Sequence, residues 1–65
     1  MMNLDIRETF PFTNRAGQSD ALQHTIELGG RTHRLRQKST GHVVGAVTPE
    51  NAAERAAAII AKKRL

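Results

Sequence analysis

Between residues 4 and 13 apolar and polar side chains alternate. Leu4, Ile6, Phe10 and Phe12 share one parity, and Asp5, Arg7, Thr9 and Thr13 share the other. A period of two predicts a strand with one buried face. Glu8 interrupts the apolar parity. Pro11 has no N–H to donate, which predicts that the end of this strand lies at a sheet edge or a bulge. Residues 14–20 are polar and rich in turn formers, so they read as a loop.

Residues 21–28 fit two patterns. As a strand, Leu22, His24, Ile26 and Leu28 face one way, and Gln23, Thr25 and Glu27 the other. As a short helix, Ser19 or Asp20 would cap the start and Gly29 would close the end. The strand is favoured. Gly29-Gly30 suits a two-residue hairpin turn, because both central positions of a type I′ turn need positive φ. Arg31 to Lys38 then alternates like a strand. This turn sets a register: Leu28 opposite Arg31, Ile26 opposite His33, His24 opposite Leu35 and Leu22 opposite Gln37. The other face carries Glu27 beside Thr32, Thr25 beside Arg34, Gln23 beside Arg36 and Ala21 beside Lys38.

Ser39-Thr40-Gly41 reads as a second turn and His42–Val47 as a short apolar strand. A two-residue loop at Thr40-Gly41 would turn Val44 and Ala46 inward. A three-residue loop with a bulge would turn Val43 and Val47 inward. Thr48 is a good N-cap and Pro49 suits a first helical turn. Glu50 and Glu54 lie near the positive end of this helix, and Lys62, Lys63 and Arg64 near its negative end. Ala53, Ala56, Ala57 and Ile60 form a narrow apolar stripe, with Ile59 beside it.

These elements predict one α+β domain. It is an antiparallel sheet of three or four strands in meander order, over about residues 3–47, with one C-terminal helix, about 49–64, on its apolar face. Leu4, Ile6, Phe10, Phe12, Leu22, Ile26, Leu28, Leu35 and two valines would fill the layer beneath Ile59 and Ile60. A chain this short buries only about 60% of the surface its unfolded form exposes. A homodimer sharing apolar surface is one way to thicken such a core.

Composition narrows the chemistry. The 65 residues include no cysteine, which excludes a disulfide scaffold and any thiolate-ligated metal or cluster. A reducing cytoplasm fits this composition. The longest apolar run, Ala56–Ala61, is far below the ~20 residues of a membrane helix, and Asp5 arrives before any basic or apolar leader region, so neither a membrane span nor a signal peptide is expected. Charge is asymmetric. Residues 1–30 hold two bases against four acids, net −2, while residues 31–65 hold eight bases against two acids, net +6. That asymmetry points to an anionic partner: nucleic acid, a nucleoprotein or an acidic protein face.

Candidate chemistry is sparse. His24, His33 and His42 are spaced nine apart. The register makes His24 and His33 diagonal neighbours, but a metal site needs a third converging ligand and no carboxylate clearly joins them. No metal or cofactor is expected. Nucleophile motifs, a phosphate-binding glycine loop and paired carboxylates are absent, so no enzyme activity is expected.

The basic strand carries the functional expectation. Arg34, Arg36 and Lys38 share one parity with Thr32, and Arg31 precedes them. Like charges on one strand repel, which stability alone does not favour. Arginine presents a planar fork suited to phosphate or a guanine edge. Gln23 and Thr25 lie across from the arginines and both donate and accept hydrogen bonds. Lys62, Lys63 and Arg64 would extend the footprint. The only rings that could stack on bases, Phe10 and Phe12, belong to the core, so duplex DNA or a nucleoprotein suits the face better than single-stranded RNA.

Through the Gly29-Gly30 turn, the Arg34/Arg36/Lys38 stripe and the Thr48-Pro49-Glu50 helix start, the layout resembles the three-stranded DNA-binding modules of mobile-element integrases. Those read the major groove with a sheet. In size and α/β layout the chain also resembles small phage accessory proteins, anti-CRISPR inhibitors among them, which bind a host complex without catalysis. Many of those are acidic nucleic-acid mimics, and the basic half departs from that pattern. The first resemblance implies a duplex-binding module. The second implies an inhibitor that blocks a host defence complex sterically.

Overall fold

A single extra residue in the first strand decides which side chains meet the helix. The computed structural model describes residues 5–27, 29–63 and 65. Leu4 and Leu28, expected in the core, and Arg64, expected in the C-terminal basic cluster, lie outside the described residues. Strands β1 (Asp5–Thr13), β2 (Ser19–Ile26), β3 (His33–Gln37) and β4 (Val43–Ala46) form one antiparallel sheet in the order β1-β2-β3-β4, followed by helix α1 (Ala52–Lys62). This is the expected α+β meander, with residues 21–26 in the strand reading.

β1 pairs with β2 as Ile6↔Thr25 and Glu8↔His24, so Arg7 is a bulge residue. An inserted residue sends everything beyond it to the other face. Phe10 and Phe12 pack against the core, and Glu8 joins them on the helix side. Ile6, expected in the core, instead lies on the opposite face and is 56% exposed.

β2 and β3 take the expected register, from Leu22↔Gln37 to Ile26↔His33. Gly29 and Gly30 both have positive φ, 95° and 70°. The turn nevertheless begins one residue early. Gly30 N–H donates to the Glu27 carbonyl (2.9 Å), and Glu27 N–H donates to the Thr32 carbonyl (3.0 Å).

The β3–β4 connection is longer than either loop considered from sequence. Gly41 N–H donates to the Gln37 carbonyl (2.7 Å) and Gln37 N–H to the His42 carbonyl (2.8 Å), enclosing a turn over Lys38–Gly41. β4 then bulges at Val44, between Arg36↔Val43 and Leu35↔Gly45. Val44 and Val47 therefore pack against the core, whereas Val43 and Ala46 are exposed. Each loop alternative identified one of the two inward valines.

Thr48 Oγ1 accepts the Asn51 N–H (3.2 Å) while Asn51 Oδ1 accepts the Thr48 N–H (2.8 Å). These reciprocal bonds close the turn that contains Pro49; the helix N-cap is Asn51 rather than the expected Thr48, and its side chain caps no helical N–H. The regular helix starts after this turn, at Ala52, rather than at residue 49. Ala52 and Ala56 are buried with Ile59 and Ile60 half-buried on the same side, whereas Ala53 and Ala57, expected in the stripe, are exposed. Leu22, Leu35, Val47, Ala52 and Ala56 form the buried centre, ringed by Phe10, Phe12, Val44 and the two isoleucines of α1. Gly45 lies under the helix: a methyl group there would sit 3.4 Å from Ile59 Cδ1.

Candidate functional site

The alternation that turns Leu22 and Leu35 toward α1 turns their neighbours to the opposite face. Gln23 pairs with Arg36 and Thr25 with Arg34, and Lys38 continues the row, its N–H donating to the Ala21 carbonyl (2.8 Å). The three cations of the stripe therefore share one face of the sheet. Arg31 lies exposed in the preceding turn. Phe10 and Phe12 are on the helix side, so no aromatic ring shares the basic face.

The face is not uniformly cationic. Glu27 Oε1 lies 3.3 Å from Arg34 Nη1 and 3.4 Å from Arg36 Nη2. One carboxylate thus serves both arginines and relieves the repulsion that their shared parity imposes. The register already placed Glu27 beside Thr32, diagonal to Arg34, but did not reveal that it reaches both guanidinium groups.

The two arginines differ in role. Arg36 also donates from Nη1 to the Gly41 carbonyl (3.2 Å), its side chain is 21% exposed, and its Nε is buried without a partner among the described residues. It braces the β3–β4 turn. Arg34 is 40% exposed and, among the described residues, makes its side-chain contact only with Glu27. Lys38 is exposed. Of the neighbours expected to assist, Gln23 is half-buried, while Thr25 is only 2% exposed and its hydroxyl lies 3.4 Å from the Arg34 carbonyl. Thr25 therefore supports the strand pair rather than meeting a partner. Lys62 and Lys63 are exposed but belong to the helix layer, across the sheet from the arginines.

Beside Lys38 the face dips into a cleft of about 410 Å³ lined by Thr9, Pro11, Ala21 and Ser39. Asp20 anchors its rim. Its Oδ2 accepts the Ser39 hydroxyl (2.6 Å) and the Gln37 amide (2.9 Å), and its Oδ1 accepts the Ser39 N–H (3.1 Å). The Ser39 hydroxyl foremost, then Gln37, hold the Asp20 carboxyl at about 2, below the usual 3.8. The sequence reading took Asp20 only as a loop or cap residue. Its signal was a lone acid with the parity of Leu22, facing the buried side.

On the helix side, His24 and His33 are the expected diagonal neighbours, with His24 Nε2 2.8 Å from His33 Nδ1. A carboxylate does join them, contrary to expectation: Glu8 Oε1 lies 3.5 Å from His24 Nδ1. The Arg7 bulge delivers it, and the break in apolar parity at Glu8 was its trace in the sequence. His42 is exposed at the other end of β3. Among the described residues there is no group of three or more side chains that could hold a metal ion, and no helix is long and apolar enough to cross a membrane. Comparisons of the chain with protein-family models, with curated proteins and with solved structures find no match.

Proposed function

We propose that this chain is a small non-enzymatic binding module that contacts duplex DNA, alone or within a nucleoprotein, through the sheet face opposite α1. Arg31, Arg34 and Lys38 make the leading contacts and Arg36 holds the turn between them. The supporting observation is that Arg34, Arg36 and Lys38 share one face of the sheet, that Glu27 is the carboxylate paired with them there among the described residues, and that neither Arg34 nor Lys38 is tied into the fold by a second side-chain bond to a described residue. A face without aromatic rings suits phosphate contact and base-edge readout better than stacking on unpaired bases.

Three phosphate contacts give a slope of log K against log salt of about −2.7, from ~0.9 per contact. Anisotropy of a labelled duplex titrated across a salt series measures it. The double variant Arg34→Ala/Lys38→Ala is expected to lower the magnitude of that slope by about 1.8. No binding at about 50 mM salt, or a slope indifferent to both substitutions, overturns the proposal. A partner retained after nuclease treatment and indifferent to duplex competitor would assign the face to an acidic protein complex instead, as in an inhibitor of a host defence assembly.

A further inference from the structure

Glu8, His24 and His33 lie in a row across three strands, on the side of the sheet that the basic face does not use. His24 occupies the middle and is 1% exposed. Its Nε2 is 2.8 Å from His33 Nδ1, and its Nδ1 is 3.5 Å from Glu8 Oε1. That Nδ1 is buried and has no hydrogen-bond partner among the described residues. Glu8 is the charged group in reach, with its side chain half exposed.

The carboxylate sets the direction of the row. Without a proton, a buried Nδ1 would turn a lone pair toward a carboxylate oxygen, leaving two acceptors face to face. With a proton it turns a donor toward an anion, the favoured arrangement. A neutral His24 that carries its proton on Nδ1 must accept at Nε2. The hydrogen in the 2.8 Å bond then belongs to His33 Nδ1. A neutral His33 that donates from Nδ1 keeps a lone pair on Nε2. His33 is only half-buried, and its Nε2 makes no hydrogen bond to a described residue.

We propose that Glu8, His24 and His33 form a proton-binding site, a polarised relay that presents His33 Nε2 as its acceptor and takes up one proton for the pair of rings. The proton enters at His33 Nε2. The Nδ1 proton of His33 can then pass to His24 Nε2, which leaves the imidazolium beside the Glu8 carboxylate, and no charge or atom is lost. A second proton would oppose N–H to N–H across the 2.8 Å contact, so the pair would have to open.

The surroundings add little competing charge. Asp5, exposed on β1, pairs with Ile26, which in turn pairs with His33. β3 adds Gln37, already bound to Asp20, and β4 adds Val44 and Gly45. The helix turns Ala52 and Ala56 inward and leaves Glu54 and Arg55 exposed. His33 also accepts the Val47 N–H through its backbone carbonyl (3.0 Å).

Long-range ¹H–¹⁵N correlation of the imidazole nitrogens reads tautomer and protonation directly. It is recorded from pH 8 to the onset of acid unfolding, with exposed His42 as the comparison ring. Wild type is expected to show both His24 and His33 as Nδ1–H tautomers at the alkaline end. One proton should be taken up by the pair while the amide spectrum stays native. Glu8→Ala should return His33 to the Nε2–H tautomer with the amide spectrum still dispersed. If that variant fails to fold, the wild-type tautomers decide alone. A wild-type His33 protonated on Nε2 at pH 8, or two protons taken up without any change in the amide spectrum, overturns the proposal.

Discussion

The carboxylate of Asp20 holds Ser39 twice, through the backbone N–H at 3.1 Å and the hydroxyl at 2.6 Å. This clamp joins the start of β2 to the β3–β4 turn, and it is strongest while the carboxyl is ionised. Its folded value of about 2 lies below the ordinary 3.8, so the stabilisation is complete above pH ~4 and is lost as pH falls through about 2. Asp20→Asn should lower the melting temperature at neutral pH by several degrees. The gap between variant and wild type should close in circular-dichroism melts as pH approaches 2. A gap that stays constant down the acid series would deny the clamp its ionic character.

Glu27 competes with any external anion for Arg34 and Arg36. Exposed pairs are worth up to about 1 kcal/mol, so Glu27→Gln should tighten duplex binding by up to about fivefold. The gain should fade with added salt. Weaker binding by this variant would show that Glu27 orients the arginines rather than occupying them.

Gly45 faces the end of the Ile59 side chain. Its backbone does not require glycine, and an added methyl group meets only the terminal carbon of Ile59, at 3.4 Å. Gly45→Ala should remain within about 1 kcal/mol of wild type. Gly45→Val pushes a branched side chain into Ile59 and should cost about 1–3 kcal/mol in urea denaturation.

The reciprocal Thr48–Asn51 bonds close the turn before the helix. Thr48→Ala removes one side-chain hydrogen bond and should cost about 1 kcal/mol. In a domain of this size that is about 4–8 °C in melting temperature. Because the two bonds are reciprocal, Asn51→Ala added to Thr48→Ala should cost less than the sum of the single changes.

The legible parts of this fold were those in which one local constraint settles a longer stretch. Two glycines able to take positive φ, flanked by alternating segments, were enough to pair β2 with β3 residue by residue. The basic face followed from that register. The bulges were harder to see. At Arg7 one extra residue reverses the strand, yet the sequence still alternates across it, so Ile6 reads as core and Glu8 as an exception. In truth Ile6 is the outward residue and Glu8 belongs with the phenylalanines. The helix face was hidden for another reason. With alanine at most positions from 52 to 61, several stripes are almost equally apolar, and the actual one is set by how the helix packs on the sheet. The Asp20 clamp joins residues distant in the chain, which periodicity does not register; in the Glu8–His24–His33 row the hairpin register gave the two histidines as neighbours, and only Glu8 was missed because it sits beyond the bulge.

The irregular β1 has a further consequence for how these molecules meet one another. β1 is an outer strand, and its unpaired side is what a neighbouring chain would use to extend the sheet. Such growth needs an unbroken ladder of amide groups. Here the kink at Arg7 and the missing amide hydrogen of Pro11 interrupt that ladder within a few residues of each other. A protein with so little interior thereby discourages its own polymerisation into ribbons along that margin.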